Sequence, residues 1–112
     1  MILGDLAHSR AGDKGNVSNL SLIVYEESDY EFIKEQITAQ KVKTFFKERI
    51  KGTVRRFDLP KIAAFNFVLE DSLYGGVTRS LALDPHGKCL SSYFLLMEVD
   101  EDAYLIYKKS LQ

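Results

Sequence analysis

The order of apolar and polar runs along this 112-residue chain predicts an α+β domain, with helices covering one face of a mainly antiparallel sheet. Three observations carry the prediction. SLIVY, VRRFDL and IAAFNFVL are short runs rich in Leu, Ile, Val and Phe, as strands are. Two stretches with apolar residues three and four apart lie between the first of these runs and the second. The succession of elements is roughly ββααβββα, with no linker, repeat or low-complexity segment, so the whole of 1–112 reads as a single domain.

Met1 to His8 reads as a first strand, interrupted in pattern by Gly4 and Asp5, and Ser9 to Asn16 as a loop. Ser18 to Tyr25 is a mostly buried strand. Ser28-Asp29-Tyr30-Glu31 fits a capping box, in which the Ser hydroxyl accepts from a backbone N–H three residues on and the Glu reaches back. Tyr30, Ile33 and Ile37 then share one face of a helix, and Thr38 caps a second helix striped by Val42, Phe45, Phe46 and Ile50. Gly52 suits a helix stop, because it adopts positive φ without a Cβ clash. Thr53 to Leu59 is a strand closed by Pro60. Ile62 to Leu69 is the most apolar strand and the expected central one.

Further on, Gly75-Gly76 is a turn, Thr78 to Leu83 another strand, and Asp84 to Gly87 a turn. Leu90 to Val99 fits either a helix or a buried strand. Asp102 to Leu111 reads as a short terminal helix with Lys108 and Lys109 at its negative end.

Fifteen basic against sixteen acidic residues give a net charge of −1, which provides no global field for nucleic acid or an anionic membrane. The single cysteine, Cys89, excludes an internal disulfide and a thiolate-rich metal site. No apolar run reaches the ~18 residues of a membrane span and nothing resembles a signal peptide, so the cytoplasm is the expected compartment. The basic residues from Lys41 to Arg56 interleave with Phe45, Phe46 and Phe57, but these rings fall on the apolar stripe, and a solvated basic face accounts for them better than a nucleic-acid surface.

The polar stretch AHSRAGDKGNVSN holds the candidate chemistry. Gly12 and Gly15 permit close backbone approach, successive N–H groups of such a loop can form a nest for an anionic oxygen, and Arg10 and Lys14 add positive charge. Asp13 opposes an anion unless it pairs with Lys14 or caps the turn. The spacing is neither a Walker loop nor a dinucleotide fingerprint. A tight loop in which Asp13 and Asn16 bond their own backbone fits the residues better on their chemistry alone. His8 and Arg10, two apart, face one side of a strand and converge with the loop lysine if the chain folds back, placing a proton-transfer group beside two cations. Asn66, inside an apolar run, needs partners for its amide and either pins the polar loop or reaches a ligand. Gly75-Gly76-Val77-Thr78-Arg79-Ser80 forms a second glycine bend carrying an Arg.

LGDLAHSRAGDKGNVSNLSLIV, ITAQKVKTFF, VRRFDLPKIAAFNFVL and GGVTRSLALDPHGKCL resemble, in this order, blocks of the AtuA-like domain of the acyclic terpene utilisation family. The resemblance runs over about residues 2 to 97. It implies a ferredoxin-like α+β fold, here as a stand-alone chain working with a larger AtuA-like protein. It also implies a setting in the catabolism of branched or terpenoid acids as CoA thioesters. Carried over by position, His8, Arg10, Gly12, Asp13, Lys14, Gly15, Asn16 and Asn19 match the first block. Asn66, Gly75, Gly76, Thr78, Arg79 and Ser80 match the later ones. Ala11 stands where the family often has Ser.

The resulting expectation is an accessory subunit whose glycine bends bind a carboxylate or a CoA phosphate. No resident cofactor is expected, and a CoA thioester is the candidate substrate. His8 is the candidate proton carrier if a hydratase, lyase or isomerase activity is shared with the partner. The alternative is a homo-oligomeric or partner-docking module with a purely structural polar loop.

Overall fold

The computed structural model describes residues 1–14, 17–46, 52–70 and 89–112. Strands β1 (Ala7–Lys14), β2 (Val17–Val24), β3 (Val54–Leu59) and β4 (Ala64–Glu70) form one antiparallel sheet in the order β1-β2-β4-β3. Helices α1 (Tyr30–Gln36), α2 (Ala39–Phe46) and α3 (Cys89–Phe94) lie on one side, and α4 (Glu101–Ser110) follows as the terminal helix. The fold is α+β and ferredoxin-like, as expected. The most apolar strand, β4, is internal.

Period-two alternation builds the core. Leu20, Leu22 and Val24 on β2 and Phe65, Phe67 and Leu69 on β4 are buried on the helix side. Tyr30 of α1 stacks on Phe65 with ring centroids 4.6 Å apart, and Phe94 of α3 meets Phe67 edge-on at 5.4 Å. Each fully buried ring of this kind contributes roughly 1.5–3 kcal/mol relative to its exposed state.

The start of the chain departs from expectation. Leu3–Asp5 is a 3-10 turn, held by Ile2 N–H donating to Asp5 Oδ2 at 2.9 Å, and β1 begins only at Ala7. The Gly and Asp that interrupt the strand pattern make this turn. An added Cβ on Gly4 would sit 3.3 Å from the Leu95 carbonyl oxygen, which Gly4 N–H also bonds at 2.9 Å. The expected loop from Ser9 is strand as far as Lys14, because hairpin pairing with β2 outweighs the local turn preference of Gly and Asp. Gly15 and Asn16 lie outside the described residues.

Thr38 caps α2 as predicted, its Oγ1 accepting from Lys41 N–H at 3.1 Å. The capping box at Ser28 does not form. A 3-10 turn, Glu27–Asp29, leads into α1 without a side-chain cap, and the Ser28 hydroxyl instead accepts from Lys108 Nζ at 3.2 Å. Gly52 is required for a different reason than predicted. Its N–H bonds the Glu70 carbonyl at 3.1 Å, and a Cβ there would lie 2.6 Å from that oxygen. Leu90 to Val99 resolves into the short helix α3, a turn, and an isolated bridge from Glu98 to Ile2. Ile62 belongs to a 3-10 turn with Pro60, and the strand starts at Ala64 after Ala63 passes through left-handed φ of 49°.

Candidate functional site

The residues of the first polar stretch separate by strand parity. Ala7, Ser9, Ala11 and Asp13 occupy helix-side positions, where small residues let α3 approach β1. His8, Arg10, Gly12 and Lys14 occupy the opposite face, which none of the described helices covers. There the register forms cross-strand rows. One row is His8, Ile23, Ala64 and Leu59; the next is Arg10, Ser21, Asn66 and Phe57. A third is Gly12, Asn19, Val68 and Arg55, and a fourth begins with Lys14, Val17 and Glu70.

Two expectations change accordingly. In extended backbone, successive N–H groups point to opposite sides, so residues 9 to 14 form no nest. His8 and Lys14 do not converge either, because six residues of strand put their backbones about 20 Å apart. His8 and Arg10 do share a face at about 7 Å.

Arg10 is exposed, and among the described residues its guanidinium has no acceptor. Its backbone N–H donates to Ser21 Oγ at 3.1 Å, and that hydroxyl donates back to the Arg10 carbonyl at 3.4 Å. The gap next to it is real: a Cβ built on Gly12 would meet nothing within 4 Å, and Gly12 uses no positive φ. His8 packs its ring 5.7 Å from Tyr25. Asn66 lies across β2 from β1, too far to pin it, and has no side-chain partner among the described residues. The far end of the face is apolar, with Phe57 47% exposed and Leu59 beside it. Arg55 leans over Phe57 at 5.9 Å but is already paired with Glu70 at 2.9 Å. Gly75, Gly76, Thr78, Arg79 and Ser80 lie outside the described residues. No cluster of three His, Cys, Asp or Glu suited to a metal occurs among the described residues, nor any helix long and apolar enough to cross a membrane.

A second polar cluster was not anticipated. Asp29, with a side chain only 3% exposed, accepts from Tyr104 Oη at 3.1 Å and from Lys108 Nζ at 2.9 Å. Tyr104 and Tyr107 also close over Phe32, at ring distances of 5.2 and 5.3 Å. The Asp29 hydrogen bond holds the Lys108 ammonium well above the usual lysine range. Burial and then the Asp29 hydrogen bond push the Tyr104 phenol up as well. The cluster clamps α4 onto the domain. Its partners stand 75 to 79 residues apart in the chain, and no local pattern signals them.

Nothing among curated proteins and nothing among solved structures matches the chain. The model of the AtuA ferredoxin-like domain matches residues 1–100, the whole sheet and α1 to α3, and ends just before α4. The four-stranded antiparallel sheet with its helical layer and a family match over this span agree, and the chain belongs to the AtuA ferredoxin-like domain family.

Proposed function

We propose that the chain is an accessory or detached domain of an AtuA-type system for branched or terpenoid acids, and that its open sheet face holds an anionic group of the substrate. The carboxylate of an acid or a phosphate of CoA is the group expected. The observation that carries this reading is Arg10: an exposed guanidinium without an acceptor among the described residues, beside the open space over Gly12. Glycine within a strand often marks such a close approach. Ser21 and Asn66 continue the row with polar groups, and Phe57 and Leu59 end the face with apolar surface about 15 Å from β1, as the strand spacing requires. An amphipathic acid laid across the strands meets charge at one end and rings at the other. His8, on the same face, is positioned to move a proton if a hydratase, lyase or isomerase step is shared with a larger AtuA-type partner. Lys14 and Arg79 enter this reading on their sequence positions.

A charge-assisted hydrogen bond contributes about 1.5–3 kcal/mol, and micromolar affinity requires about 8 kcal/mol, so Arg10 needs help from the rest of the face. Titration calorimetry with CoA, a branched acyl-CoA and a branched dicarboxylate tests the reading. Arg10→Ala should weaken binding at least about tenfold. Gly12→Val should block it by filling the gap, whereas Arg55→Ala, whose guanidinium already serves Glu70, should change little. No heat at millimolar ligand, with or without the larger protein, would sink it.

The exposed Phe57 and Leu59 favour a second reading, a face that docks on a larger AtuA-type protein. Under it, Phe57→Ser abolishes co-purification, and no ligand raises the melting temperature.

A further inference from the structure

Helix α4 has two apolar sides. Tyr104 and Tyr107 face Phe32, while Leu105 and Ile106 point outward, 52% and 69% exposed. Asp102 and Lys109, also exposed, extend the outward stripe to either side at i, i+3, i+4 and i+7. The stripe is symmetric about its midpoint in size and antisymmetric in charge: acid, apolar, apolar, base. That is the pattern a helix needs to pair with a copy of itself running the other way.

We infer that the outer face of α4 is a self-association surface, two copies crossing antiparallel about a twofold axis between Leu105 and Ile106. In that arrangement Leu105 packs on Ile106 of the partner subunit. Asp102 meets Lys109 of the partner subunit at one end, and the same pair recurs at the other. A parallel pairing would oppose Asp102 to its own copy and Lys109 to its own, and like charges in register repel. The clamp at Asp29 fits this role, because it fixes α4 rigidly on the domain, by Tyr104 and Lys108 on its inner side, and leaves the stripe outward. The surface belongs to the helix layer and is independent of the open sheet face. A ten-residue helix is about 15 Å long, and one such helix face is too small to bury the ~1,200–2,000 Å² of stable complexes, so the dimer is weak and concentration-dependent.

Sedimentation velocity on the full chain from about 10 µM to 1 mM reads this directly, since weak pairs of this kind dissociate in that range. The expected result is a monomer–dimer equilibrium that Ile106→Asp abolishes. Asp102→Lys alone and Lys109→Asp alone should each weaken association at least about tenfold, and the two together should restore it, because the double exchange recreates both pairs with the signs reversed. Circular dichroism of each variant checks that α4 stays helical. The inference is overturned by a monomer throughout, by a dimer indifferent to Ile106→Asp, or by a double exchange that fails to restore what the single ones lost.

Discussion

The two faces of one sheet carry opposite solutions to the same backbone. On the helix side Phe65, Phe67 and Leu69 are sealed under Tyr30 and Phe94; on the other side the intervening positions are Asn66, Val68 and Glu70. Adjacent arginines show the contrast most sharply. Arg56 turns under the helices and donates to the Lys34 and Ile37 carbonyls at 2.7 and 3.0 Å. There it satisfies the end of α1 and pairs with Asp58 at 2.8 Å. Arg55, one residue earlier, stands in solvent with Glu70. Parity along the strand, and not residue type, decides which arginine is structural.

The largest test of that contrast uses the phenylalanines. Phe67→Ala, at a fully buried site, should cost about 3–5 kcal/mol in chemical denaturation, whereas Phe57→Ala should stay within about 0.5 kcal/mol. Equal losses would mean that the open face is covered. The arginines come next. Arg56→Ala leaves two helix-end carbonyls without a donor and should cost about 2 kcal/mol, against about 0.5 kcal/mol or less for Arg55→Ala.

A smaller effect separates the α4 clamp from both faces. Lys108 and Tyr104 titrate above their ordinary 10.5 and 10.0 in the folded chain. Groups raised on folding stabilise fully below their unfolded values and lose that contribution as pH climbs through the folded ones. Stability should therefore hold up to about pH 10 and fall above it, and Tyr104→Phe with Lys108→Met should flatten the fall. A profile identical in the double variant would deny the clamp its role. Smallest of all, Thr38→Ala should remove about 1 kcal/mol by uncapping α2, visible as a lowered denaturation midpoint.

Much of the fold was legible. The apolar runs VRRFDL and IAAFNFVL located β3 and β4, and Thr38 announced the start of α2, because apolar content and capping are written in short stretches of sequence. The candidate site was legible in composition but not in shape. Gly12 and Asp13 have the chemistry of a turn, yet pairing with Asn19 and Ser18 draws them into β1. That pairing lays residues 9 to 14 into a strand where a loop was expected, while Gly15 and Asn16 lie outside the described residues. The Asp29 clamp was illegible, since Ser28-Asp29-Tyr30-Glu31 reads as a local capping box and says nothing of a tyrosine and a lysine 75 to 79 residues away.

Sequence alone determined which segments are apolar, where α2 begins, and that the chain carries the blocks of its family. Tertiary structure alone decided which side of each strand is buried, which described arginine serves a helix end, and what holds the last helix. The physical reason is range: spacing and capping act within a few residues, whereas register, parity and the partners of a buried charge exist only once distant segments have met.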